Sequence, residues 1–90
     1  MLYVRVNGEE RKIIFRHEKE TIEGNQKHPV RTVCGIFNGE TPIAEGVAKV
    51  HKLDRFEYEK GRKISLKYAL EAAEMTRDER RQIWEQYNAR

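Results

Sequence analysis

Arg62 is the residue of this sequence whose position asks for chemistry. It opens the run Gly61-Arg62-Lys63-Ile64-Ser65-Leu66, which reads as the start of a helix. At about 100° per residue Arg62 falls between Leu66 and Ala69 on the apolar side, while Lys63, Lys67, Glu71 and Glu74 share the opposite stripe. A cation there suits an anion clamp, in which the guanidinium fork and the first-turn amides together hold a phosphate or carboxylate. Lys63 adds charge beside it. Phe56 and Tyr58, just upstream, offer ring faces to a base, and His51 stands where a strand meets the turn. Each has a structural alternative. Arg62 can pair with Asp54 or Glu57 and brace the turn to the helix, Phe56 can anchor in the core, and Glu57 and Glu59 complement the helix dipole.

A second group, Arg77, Arg80, Trp84 and Tyr87, falls on one flank of the last helix. Cations and aromatic rings at this spacing suit partner binding or base stacking, or an Arg80–Trp84 cation–π stack on the helix surface. A helix-turn-helix over residues 61–88 would place Asp78 and Glu79 where phosphates are met, which repels DNA. His17, His28 and His51 are too scattered for a metal site, and Cys34 lies in a strand whose pattern buries it. With no glycine-rich phosphate loop, nucleophile elbow or carboxylate dyad, neither an enzyme nor a cofactor is expected.

The elements that must position these residues are four strands and two helices. Leu2, Val4 and Val6 alternate with polar partners, Asn7-Gly8 is a tight-turn signal, and a return strand runs from about Arg11 to His17. Glu18 to His28 reads as a loop. Val30 to Phe37 forms a third strand with Val33 and Phe37 opposite Thr32, Cys34 and Ile36, so it is expected to be central and covered on both sides. Asn38-Gly39 turns into a fourth strand, Ile43 to His51, in which Gly46 marks a bulge or a close backbone approach, and Pro42 confines the start of that strand to an edge. The first helix spans about Lys60 to Glu74, with Leu66, Ala69, Leu70 and Ala73 on one face and Ser65, Tyr68 and Ala72 widening it. Met75 is the hinge. Thr76-Arg77-Asp78-Glu79 is a capping box, and the last helix runs to about Asn88. The expected fold is α+β: a four-stranded antiparallel meander over 1–51, then a helical hairpin over 60–88, as one domain over 1–90.

Charge follows the same division. Residues 1–48 hold seven Lys/Arg and seven Asp/Glu, and residues 49–90 hold eleven and eight, which supplies the net +3. The helical half is therefore the half suited to an anionic partner. With 37% charged residues and one cysteine, no internal disulfide forms and a reducing cytoplasm is the natural setting. No window reaches the about 18 apolar residues of a membrane span. A domain this small gains stability by forming a homo-oligomer.

The stretch Cys34…Gly46-x-Ala48…Asp54-x-Phe56-x-x-x-x-Gly61-Arg62-Lys63-Ile64-x-Leu66-x-x-Ala69-Leu70 resembles a pattern of small phage-encoded proteins. The tail Arg77-x-Glu79-Arg80-x-x-Ile83-Trp84-x-x-Tyr87 looks like part of the same pattern. The sheet-then-helices layout is similar to that of the anti-Thoeris sponges, which bind cyclic ADP-ribose signals as oligomers and keep them from host effectors. The resemblance implies a counter-defence protein in the host cytoplasm that sequesters a cyclic nucleotide. Two alternatives accompany it: an anti-CRISPR-like inhibitor of a host defence protein, and a small DNA-binding regulator.

Overall fold

A computed structural model of the chain describes residues 1–21, 27–49 and 57–90. Strands β1 (Leu2–Val6), β2 (Glu9–Thr21), β3 (Lys27–Asn38) and β4 (Thr41–Lys49) form one antiparallel sheet in chain order, followed by helices α1 (Tyr58–Ala72) and α2 (Arg77–Ala89). The fold is α+β, ββββαα. Among the described residues, no helix is long and apolar enough to cross a membrane.

The turns are made by the residues suited to them. Asn7 and Gly8 both hold positive φ, at 53° and 82°, which matches the right-handed strand twist of a two-residue hairpin, and Gly39 holds 62° between β3 and β4. The β2–β3 hairpin is longer than its sequence pattern indicates. Pairing continues past His17 through Glu18↔Arg31, Lys19↔Pro29, Glu20↔His28 and Thr21↔Lys27, with a register shift at Glu18/Lys19. The irregularity at the start of β4 falls opposite Ile36/Phe37, not at Gly46.

Gly46 instead marks a close approach. A Cβ there would lie 2.2 Å from both the Ala69 amide nitrogen and the Ser65 carbonyl oxygen, so α1 rests its backbone directly on β4. That contact fixes the helix over β3 and β4, while α2 lies against β1. The core between the layers holds Val4, Val6, Ile13, Cys34, Ile36, Leu66, Ala69, Leu70, Ile83 and Tyr87, with Leu2, Phe15, Met75 and Trp84 at its margin. Burial pushes the Cys34 thiol up to about 12, which leaves it unreactive. Helices cover one face of the sheet only. Val33, on the other face, is nevertheless only 4% exposed.

Two devices were not legible from periodicity. Gln86 of α2 accepts from the Arg5 amide (2.8 Å) and donates to the Arg5 carbonyl (2.7 Å), and the Gln82 side chain accepts from the Asn7 amide (2.8 Å). These side-chain amides occupy the open edge of β1 and block further strand pairing there. At the other end of α1, Glu74 adopts φ 55°. Its amide bonds the Glu71 carbonyl (3.0 Å) and the Met75 amide bonds the Leu70 carbonyl (3.3 Å), a Schellman closure with glutamate where glycine is usual. The helix thus ends at Ala72, and Glu74, expected inside it, lies beyond its end. Tyr68 widens no apolar face; it is exposed. The Thr76–Glu79 capping box forms as its sequence indicates.

Candidate functional site

The first turn of α1 meets the last turn of α2 at the level of His17 in β2, and Glu59 is the centre of the junction. Its Oε2 accepts from Arg62 at 2.8 Å; its Oε1 accepts from the Tyr87 hydroxyl at 3.0 Å and from Arg90 at 3.2 Å. The Arg62 hydrogen bond, with those of Tyr87 and Arg90, holds the Glu59 carboxyl down at about 2, although the carboxylate is solvent-accessible. Arg90 also lies over the Tyr87 ring, 3.8 Å from its centroid.

Arg62 pairs with Glu59 one turn back in the same helix; the other expected partner, Glu57, is exposed and caps α1 without a side-chain hydrogen bond. Asp54, Phe56 and His51 lie outside the described residues. Lys63 is exposed on the polar stripe, one residue from the junction. Tyr58 is 44% exposed and stands edge-on to His17, ring centroids 4.6 Å apart at 87°. His17 in turn shares a 2.8 Å hydrogen bond between its Nδ1 and Thr32 Oγ1. Desolvation lowers the His17 pKa below 6.5, helped by the charges of Arg62 and then Lys19, so the imidazole is neutral at pH 7.

Arg77, Arg80, Trp84 and Tyr87, expected on one flank of the last helix, are divided in the structure. Tyr87 is 1% exposed and belongs to the core, with Phe15 (6.0 Å) and Trp84 (5.5 Å) packed edge-on around its ring. Trp84 is half-buried and Arg77 is exposed. The expected offer of a Tyr87 ring face to a partner does not hold, because the ring is needed by the core and its remaining face is covered by Arg90. Cation–π contact on α2 is made by Arg90 and Tyr87, three residues apart.

Glu59, Arg90 and His17 were not singled out as site residues. The i, i+3 spacing of Glu59 and Arg62 was readable as an ion pair. The contacts of Glu59 with Arg90, and of His17 with Tyr58, join residues distant in sequence and carry no local signal. At the far end of α1, a cleft of about 440 Å³ opens between the β1–β2 turn and the helix–helix connection, lined by Val6, Arg11, Ile43, Glu74, Met75 and Glu79 among others.

Chemically, the junction can hold an anion. Among the described residues two guanidiniums converge on one carboxylate, which leaves a positive charge in excess there, and a half-exposed aromatic ring lies nearby. No protein-family model matches the chain, and no curated protein or solved structure matches it significantly.

Proposed function

We propose that the chain acts by stoichiometric binding of a phosphate-bearing cyclic nucleotide, in the counter-defence role that the phage-protein pattern implies. The observation that carries this reading is the sharing of Glu59 by Arg62 and Arg90. A phosphate entering there meets two guanidiniums already held in place, so little side-chain ordering is left for the ligand to drive. Tyr58 supplies a ring beside the phosphate site on which a base can lie.

A thermal-shift panel of cyclic nucleotides, cyclic ADP-ribose included, tests the proposal on the wild type, Arg62→Ala and Arg90→Ala. Ligand at a hundred times its Kd adds about 2.7 kcal/mol to the folded state, a readily measured rise in Tm. The rise is expected for the wild type and is lost in both variants. Arg90→Ala alters an exposed terminal side chain, so it reports on binding even where Arg62→Ala unfolds. If no nucleotide stabilises the wild type, the proposal fails.

A further inference from the structure

The face of the sheet opposite the helices has an unusual composition. Antiparallel sheets that face water generally turn polar side chains outward. Here the outward positions include Tyr3, Ile14, Val33, Phe37 and Val47. The register aligns Tyr3 with Lys12 and Lys12 with Phe37, so the two rings flank one lysine in a row across three strands. Tyr3 is 57% exposed. Phe37 leans over Gly35, where an added Cβ would lie 2.9 Å from its Cε2, so the glycine leaves the ring room to lie against the sheet. Lys12 Nζ stands 5.3 Å from the Phe37 centroid, its one carboxylate contact being 3.8 Å from the fully exposed Glu40.

Charge on this face is unbalanced. From the Tyr3 row toward the Lys49 end, Lys12, Arg16, Arg31 and Lys49 face outward against Glu18 and Glu45. Glu18 is engaged by both Arg31 and Arg16, the second at 3.4 Å. The face thus combines rings, an apolar centre and, with Glu40 counted beside Lys12, a surplus of one positive charge.

We propose that this face binds single-stranded nucleic acid. Successive bases stack on Tyr3 and Phe37, the phosphate between them passes Lys12, and the strand continues toward Arg16, Arg31 and Lys49. Stacking needs only the π-face of a base, so the site is tolerant of sequence, and the cations hold the backbone. A second copy of the chain fits the face less well. Four strands about 4.8 Å apart give an apolar region on the order of 400 Å², about half of what one partner contributes to a standard interface. A two-fold pairing would also set two surplus-positive faces together. The site is separate from the Arg62 junction, which lies on the helix side of the sheet.

The test is fluorescence anisotropy of a labelled 12-nucleotide oligopyrimidine, as DNA and as RNA, and of a 12-base-pair duplex, with the full chain. The wild type is expected to bind the single strands more tightly than the duplex, and less tightly as salt rises from 50 to 200 mM. Tyr3→Ala, an exposed position, should weaken binding about tenfold, and Lys49→Glu should lessen the salt dependence. Arg62→Ala should bind strands as the wild type does, which separates this result from the fate of the cyclic-nucleotide proposal. The inference is overturned if anisotropy does not rise, if Tyr3→Ala binds like the wild type, or if duplex binds as well as single strand. It is also overturned if the protein sediments as a dimer that Tyr3→Ala dissociates, because a second copy then covers the face.

Discussion

The Tyr87 hydroxyl donates to Glu59 Oε1 across 3.0 Å, tying the last turn of α2 to the first turn of α1. The ring that carries this hydroxyl is a core residue, so the charged junction is anchored to the hydrophobic centre by one side chain.

Glu59 therefore contributes to acid stability, alongside Glu18 and Asp78, whose carboxyls are also held down by hydrogen bonds from Arg31 and Arg81. Its folded pKa, about 2, lies below the ordinary 4.5, so the folded state gains from its ionisation. That contribution is complete above about pH 4.5 and is lost as pH falls toward 2. Urea melts between pH 5 and pH 2.5 should show a steep loss of stability in the wild type and a shallower one in Glu59→Gln. Tyr87→Phe should fall between the two, because it removes one donor and keeps the ring.

His17 acts in a higher window. Its pKa is lowered on folding, so the unfolded chain takes up its proton first as pH falls below 6.5, and stability drops from there toward the folded value. Above 6.5 the residue contributes no pH dependence. An NMR titration of the imidazole should give a midpoint below 6.5. His17→Gln should remove the part of the stability slope below pH 6.5 that belongs to this residue.

Gly46→Ala should be more damaging than the same methyl at Gly8, Gly35 or Gly39. The added carbon meets two backbone atoms of α1 at 2.2 Å, and neither is the end of a flexible side chain. Overpacking costs about 1–3 kcal/mol where side chains can adjust, so the loss here should reach or exceed the top of that range. Circular dichroism melts of the purified variant give the value directly.

Much of this was readable beforehand, for physical reasons that differ between elements. The Asn7-Gly8 turn, the alternation in β1 and the Thr76 capping box are local signals that sit where their residues indicate, while the second tight turn falls one residue later than Asn38-Gly39, on Gly39 and Glu40. The extension of β2 and β3 was not legible, because Glu18, Lys19 and Glu20 have no apolar alternation; strand pairing and, for Glu18, the ion pairs with Arg31 and Arg16 hold it. Arg62 was visible as the charge out of phase, but its carboxylate was not. Glu59 reads equally well as a helix-dipole residue, and its bonds to Tyr87 and Arg90 bridge 28 and 31 residues. The covering of the β1 edge by Gln82 and Gln86 was equally silent, since glutamine on a helix surface ordinarily signals only solubility.

Glu74 offers a stabilising change. A non-glycine residue in the left-handed region costs roughly 1 kcal/mol, and Glu74 is exposed at φ 55°. Glu74→Gly relieves that strain at the end of α1 and should raise Tm by a few degrees, partly offset by the greater freedom of glycine in the unfolded chain. A melt at neutral pH that shows no gain would place the Schellman closure under some constraint other than this backbone angle.

The Arg62–Glu59–Arg90 junction is tested most directly by a 1H–15N NMR titration of the full chain with cyclic ADP-ribose and related cyclic nucleotides. The proposed function predicts saturable shifts at the Arg62 and Arg90 side-chain resonances and at the Tyr58 and Gly61 amides, absent in Arg90→Ala. A spectrum unchanged by millimolar ligand, or shifts confined to other parts of the chain, would contradict it.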